Sequence, residues 1–436
     1  MNRNARHLFF ALALAAGCLA AKALRAESLL LKNATVHPVS GPVISPGDVL
    51  IENGKVTQVG RVDAKADKTI DLTGQHLYPG LVALNTDLGL VEIESVRATI
   101  DEEEVGAFVP EVQSWVAVNP DSELLPVARA NGIAYFEPTP AGSAVAGQSG
   151  LVKIDGWTTE EMVVKKPAAL RVYWPSMEVN PATRRGRRNR GGGAGSMEDQ
   201  VKERERKAKE LADYFADARA YAQARAAAQT NGAHDPGLNP SWEAMLPYVR
   251  GELPIIVYAD ELRQIKSALQ WAETNHYKIV VAGGRDAWKA SAQLAKDGVP
   301  VIYTATYGMP GESVSYDLQY RVPGLLHQAG VKVALSLPQA SMVRNLPYAA
   351  AQSVSFGWPA DEAIKAMTLY PAQIMGVDDR LGAIEAGKDA TLFSCSGDIL
   401  DLRANVTHMW MTGREVSLED RHTRLYDKYR NRPKPH

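Results

Sequence analysis

An α/β fold is what this chain predicts, and three observations carry the prediction. From Ser122 onward, helix-spaced and strand-spaced runs alternate in the order that a (β/α) barrel requires. Ahead of that alternation lie two β-rich runs joined by Asn53-Gly54, the strongest short hairpin signal a sequence offers. The chain has 436 residues, 45% hydrophobic and 22% charged, which is enough to bury a large core and too long for one small domain.

The N-terminus speaks to location. Arg3 and Arg6 precede an apolar run from Leu8 to Ala21, too short to span a bilayer as a helix but suited to the h-region of a secretory signal. Residues 1–26 are read as that signal, with cleavage after Ala26 or Ala23 and a periplasmic or extracellular mature chain. Lipid anchoring at Cys18 is the alternative, because Ala15-Ala16-Gly17-Cys18 resembles a lipobox with Ala15 in place of the usual Leu. Cys395 is then the only cysteine in a soluble mature protein, so no internal disulfide forms. It is expected to be a buried, inert thiol on a strand. The net charge of −2 and pI near 6.5 supply no global field toward nucleic acid or anionic membrane.

The elements follow in order. Ser28 to Val36 and Gly47 to Gly60 read as strands. Ser122 to Asn131 has helical spacing and leads into a strand, Gly132 to Pro138. Pro140 to Gly150, rich in small residues, reads as a loop over the barrel mouth; it lacks both the Lys-Ser/Thr ending and the G-x-G-x-x-G frame of a phosphate cradle. Five arginines between Arg184 and Arg190, followed by glycines, read as a disordered, solvated insertion at about 182–196. Without interleaved aromatics it does not point to nucleic acid; binding of an acidic surface is its functional alternative. Met197 to Gln229 then reads as one long helix, with Leu211, Tyr214, Phe215, Ala218, Tyr221 and Ala222 as a core stripe.

Beyond these patterns, particular motifs resemble the amidohydrolase superfamily over most of the chain, from about Ser28 to Tyr429. Tyr78-Pro79-Gly80-Leu81-Val82-Ala83-Leu84-Asn85-Thr86-Asp87 is similar to that family's first barrel strand, Pro-Gly-(apolar)-(apolar)-Asp-x-His-x-His. Leu381-Gly382-Ala383-Ile384-Glu385-Ala386-Gly387-Lys388-Asp389-Ala390 and Val406 to Val416 resemble its closing strands, and Leu151 to Met162 resembles a stretch of an exported, imidazolonepropionase-like branch. The resemblance implies a (β/α)8 TIM-like barrel over 79–379, a composite β-sandwich from 27–78 and 380–420, and a C-terminal tail at 421–436. It also implies a dimer, with itself or with an active relative.

That family uses zinc or another divalent ion to activate water. Here the two histidine positions of the first strand hold Asn85 and Asp87. Tyr258 and Asp260 end the strand from Ile255, where the family ends in Val-His-Ala-His or similar. Gly283 occupies a possible ligand position on the next strand, and Pro338 falls at or beside the Asp that shuttles the proton. None of the nine histidines, His7, His37, His76, His234, His276, His327, His408, His422 and His436, pairs at a zinc spacing. Asp87, Asp260 and Asp286 are the candidate residual acids: the three either cluster to hold Ca²⁺ or Mg²⁺ or to provide a raised-pKa acid, or Asp87 and Asp260 simply pair with Arg97, Arg285 or a loop amide.

The expectation is therefore an amidohydrolase-like protein with no metal, no other cofactor and no catalytic residue identifiable. Its role would be that of a non-catalytic partner subunit or of a small-ligand binder, with a pocket at Asn85, Asp87, Tyr258, Asp260, Gly283 and Pro338. An active hydrolase of cyclic amides or dipeptides with a rewritten carboxylate site is the alternative.

Overall fold

The structure is a computed structural model that describes residues 28–178, 197–231, 234–311 and 314–433. The expected signal segment with Cys18, the Arg184 to Arg190 run, and His7 and His436 lie outside these residues.

Strands from both ends of the chain build one sheet. Its members are β1 (Ser28–Val36), β2 (Ile44–Glu52), β3 (Lys55–Gly60), β4 (Lys68–Asp71), β5 (His76–Pro79), β14 (Leu392–Cys395), β15 (Val406–Met411) and β16 (Arg414–Val416). The order is β16-β15-β14-β5-β1-β2-β3, with β4 also paired to β1. Asn53 and Gly54 form the two-residue turn between β2 and β3, with φ of 55° and 74°, the left-handed pair such a tight hairpin demands. Val49 and Ile51 share one buried cluster with Leu392 and Trp410 from the far side of the order. The sheet therefore folds over onto itself, and β5 pairing antiparallel with β14 joins the two chain ends. Cys395 is buried there, as expected, and burial pushes its thiol pKa up.

The second sheet is the barrel, with β6 (Leu81–Thr86), β7 (Ile133–Pro138), β8 (Val145–Lys153), β9 (Val163–Tyr173), β10 (Ile255–Ala259), β11 (Ile279–Gly283), β12 (Val301–Tyr303) and β13 (Val333–Leu335) in sequential order. The ladder does not pair β6 with β13. Other bonds close the seam: Ser336 Oγ donates to Leu84 O at 2.7 Å, and both Asp87 N–H and Thr86 Oγ1 reach Pro338 O at 2.9 Å.

One departure from a uniform (β/α)8 barrel corrects the sequence reading. Residues 145–150, expected as a loop, belong to β8, which runs antiparallel to both β7 and β9. The small residues there serve close packing: a Cβ on Gly147 would lie 2.8 Å from Val112 O, and one on Gly150 2.9 Å from Lys165 O. The long helix is Met197–Asn231, with Leu211, Phe215, Ala218, Tyr221 and Ala222 buried in the expected stripe. Phe215 meets Trp271 edge-on at 4.9 Å, so that stripe is core. The expected tail is helical over Arg421–Arg430, because Asp420 and Thr423 form a capping box.

Candidate functional site at the barrel mouth

In an α/β barrel, loops at the C-terminal ends of the strands carry the chemistry. Asn85 closes β6 in a left-handed conformation, φ 54°, which asparagine tolerates better than most residues. The β6–β7 register shifts there, between Ala83 and Thr86. Asp87 follows, half-buried, its carboxylate accepting the Ala340 backbone N–H. Burial pushes its pKa up to about 6, the Ala340 bond opposes the shift, and the Glu102 and Glu94 carboxylates add to it.

Across the barrel, Tyr258 Oη donates to Asp260 Oδ2 at 2.9 Å, and Arg285 N–H donates to Asp260 Oδ1 at 3.2 Å. Burial, then the adjacent Asp260, push the Tyr258 pKa up, so the phenol stays protonated. Gly283 is fitted to the same carboxylate: its φ is 92°, and a Cβ would lie 2.7 Å from Asp260 Oδ1. Asp286 bonds Lys289 Nζ at 2.9 Å and Leu262 N–H at 3.3 Å.

The six pocket positions expected from the sequence fall into two groups, and Asn85 lies with the first, its carbonyl accepting from Ser336 Oγ at 3.2 Å. Asp87 and Pro338 meet at the β6–β13 seam, while Tyr258, Asp260 and Gly283 meet at the ends of β10 and β11, with Asp286 beside them. Asp87 and Asp260 take loop amides, Asp260 takes the amide rather than the guanidinium of Arg285, and Arg97 joins neither. Zinc binds imidazole, thiolate or carboxylate. An amide, a phenol, a glycine and a proline do not fit it, and among the described residues no three His, Cys, Asp or Glu side chains are grouped to hold a metal ion.

Histidines His37 and His76, unpaired by any motif spacing, share a hydrogen bond between Nε2 of His37 and Nδ1 of His76 at 2.9 Å. His76 also faces Tyr78 Oη at 3.3 Å, and burial, then His76, lower the pKa of His37 to about 4.

Sequence reading missed the charged pair beneath the mouth. Glu137 on β7 and Arg171 on β9 are both 0% exposed, with Arg171 Nη2 3.6 Å from Glu137 Oε1. Glu137 accepts from Asn85 N–H at 2.9 Å and from Ser149 Oγ at 2.6 Å. Arg171 Nη2 reaches Thr139 Oγ1 at 3.2 Å, while its Nε and Nη1 have no partner. A buried unpaired donor costs on the order of 1–3 kcal/mol, more when charged, so this guanidinium is an anomaly to explain. The available signal was a charge inside each of two apolar strand-like runs.

Fold and mouth together define a TIM-like barrel protein with a folded-over β-sheet beside it. A sequence model described as "Amidohydrolase family" matches residues 312–416. The crystal structure of an amidohydrolase from Thermotoga maritima MSB8 superposes with a TM-score of 0.77 at 27% identity, over 89% of this chain and 99% of that one. By sequence over residues 312–416 and by fold over most of its length, the chain is thus similar to members of the amidohydrolase superfamily. A D-hydantoinase from Rhizobium radiobacter is 33% identical over 70 residues, 16% of this chain and 15% of that protein. Amidohydrolase tasK from Hapsidospora irregularis is 23% identical over 411 residues, 84% of this chain and 39% of that protein. The chain therefore spans less than half the length of these curated relatives. No described helix is long and apolar enough to cross a membrane.

Proposed function

We propose that this chain is a non-catalytic amidohydrolase-superfamily protein of the exported imidazolonepropionase-like branch, whose barrel mouth binds a small ligand. One observation carries the reading. The phenol of Tyr258 is bonded to Asp260, and that carboxylate in turn fills the space a side chain at position 283 would need. The mouth acids that remain bond main-chain N–H groups, an arrangement suited to holding loops in place. A role as partner subunit of an active relative is compatible with the same site. Export rests on residues 1–26, and cell fractionation with N-terminal sequencing or mass spectrometry checks it.

A second reading has its own observation. Asp87, with a pKa near 6, has the near-neutral acidity of a general acid or base, and one relative is a D-hydantoinase, so hydrolysis of a cyclic amide is the activity to exclude. The deciding experiment is elemental analysis of the exported protein after dialysis against Zn²⁺, Mn²⁺ and Ca²⁺, followed by assay on hydantoins and dipeptides. The proposal expects metal below about a tenth of an equivalent, against the one or two of a catalytic site, and no turnover. A stoichiometric ion that disappears in Asp87→Ala or Asp260→Ala, together with turnover, would overturn it.

A further inference from the structure

The net charge of −2 conceals a strongly basic end. Residues 421–436 hold six Lys or Arg against Asp427 alone. Over Arg421–Arg430 they form a helix in which no residue is buried. A charged run of that kind is ordinarily a solvated helix, polar all round. Here, at about 3.6 residues per turn, Leu425, Tyr426 and Tyr429 fall on one face and Asp427 on the other. The three are 46%, 62% and 62% exposed.

The helix is fixed at its start and clear of the body beyond it. The Asp420–Thr423 capping box holds the first turn, Arg424 Nη2 donates to the Glu123 carboxylate at 2.6 Å, and Arg344 Nη1 meets His422 Nε2 at 2.8 Å. Among the described residues, Arg424–Glu123 is the one ion pair made by a Lys or Arg of this segment, so Arg421, Lys428, Arg430 and Arg432 keep their charges unmatched. Two of these cations lie over the exposed rings. Lys428 Nζ is 5.7 Å from the centre of Tyr429, and Arg430 Cζ is 5.8 Å from that of Tyr426. Cations and aromatic bodies therefore share one outer layer.

That layer selects its occupant. Four unmatched cations around an aliphatic and aromatic face require a partner that is anionic and apolar within a few ångströms of depth. A phospholipid headgroup region supplies phosphates beside acyl carbon, and tyrosine rings sit at that level. A cluster of roughly four to eight Lys or Arg on an amphipathic helix is enough to hold an anionic leaflet. Nucleic acid would meet the cations and stack on the tyrosines but offers nothing to Leu425.

We propose that this helix lies on an anionic phospholipid surface, with Leu425, Tyr426 and Tyr429 at headgroup depth and Arg421, Lys428, Arg430 and Arg432 on lipid phosphates. The seat is independent of what the barrel mouth holds.

The test is sedimentation with vesicles of phosphatidylcholine alone and of phosphatidylcholine mixed with phosphatidylglycerol. The protein is the chain from Glu27 onward, which keeps every described residue and leaves out Cys18 and the N-terminal apolar run. Binding is expected to the mixed vesicles only, and it weakens as NaCl is raised. Arg421→Gln/Lys428→Gln/Arg430→Gln is expected to weaken binding about fivefold per cation, roughly a hundredfold in all. Leu425→Gln/Tyr426→Gln/Tyr429→Gln is expected to weaken it about tenfold or more. All six side chains lie outside the core, so both variants are expected to keep the parent's Tm, which separates loss of binding from loss of fold. No sedimentation with either vesicle, equal sedimentation with both, or unaltered affinity in either variant would overturn the inference. So would binding of single-stranded DNA in place of vesicles, or a dimer that only the apolar variant separates, which would assign the face to nucleic acid or to a second copy.

Discussion

Arg171→Met tests whether the buried pair works as a unit. The substitution leaves Glu137 fully buried, with only Asn85 N–H and Ser149 Oγ as donors. Stripping one partner from a buried ion pair costs about 3–5 kcal/mol. Against that, removing the two unpartnered guanidinium nitrogens returns ~1–2 kcal/mol. The net is a loss of about 2–3 kcal/mol, or ~4–8 °C in Tm at the few degrees per kcal/mol typical of large domains. Glu137→Gln alone strands the cation and costs the full ~3–5 kcal/mol. Glu137→Gln/Arg171→Met removes both charges, keeps an amide acceptor for one of the two donors, and is expected within about 1–2 kcal/mol of the parent. Equilibrium urea denaturation of the four proteins gives the coupling energy, expected above ~2 kcal/mol. A double variant no more stable than Arg171→Met would show that the two charges do not depend on each other, and the reasoning would fail.

Asp87 and His37 give opposite pH signatures. The Asp87 pKa is raised to about 6 in the folded protein, so the native state binds more protons than the unfolded chain between the ordinary carboxylate value and 6, and stability falls as pH rises through that window. Asp87→Asn is therefore expected to raise Tm at pH 7.5 by the equivalent of roughly 1 kcal/mol after allowance for solvent screening, with the gain gone by about pH 4. The His37 pKa is lowered to about 4. Here the unfolded chain binds more protons between 4 and 6.5, so stability is lost on acidification across that window, and His37→Gln is expected to flatten the pH profile of Tm. Gly283→Ala is expected to destabilise by about 2 kcal/mol, combining positive-φ strain with the Asp260 clash; urea midpoints within error of the parent would contradict the fit argued for that carboxylate. Tyr258→Phe removes one hydrogen bond to Asp260, for a loss of about 1 kcal/mol by the same measurement.

Local chemistry was legible and long-range packing was not. Asn53-Gly54 names its own turn, because both residues accept left-handed backbone wherever they occur. Asp420 and Thr423 announced a helix start equally locally, yet a run of charged residues beyond them reads as tail until the cap is noticed. Gly147 and Gly150 look like loop residues, since their purpose resides in Val112 and Lys165, which only the fold brings near. At the mouth, the sequence read six positions as one pocket, and the fold divides them between the β6–β13 seam and the ends of β10 and β11; loop amides were one of the three partners read for Asp87 and Asp260. The sequence could not supply the Glu137–Arg171 pair, whose members sit 34 positions apart on strands separated by β8, nor the meeting of His37 with His76.

The pairing of β5 with β14 sets the order in which this molecule can be completed. Pro79 faces Leu392, so the ladder joins positions 313 apart (392 − 79). Strands made first must wait, one edge open, until residues 392–395 have been synthesised. During that interval Leu77, which pairs with Ser394, presents an unfilled template to any extended chain. A protein truncated before Leu392 would keep its barrel strands and still carry this sticky border. A circular permutant that places residues 392–416 ahead of Ser28 would shorten the wait, and faster refolding with less aggregation would be its mark.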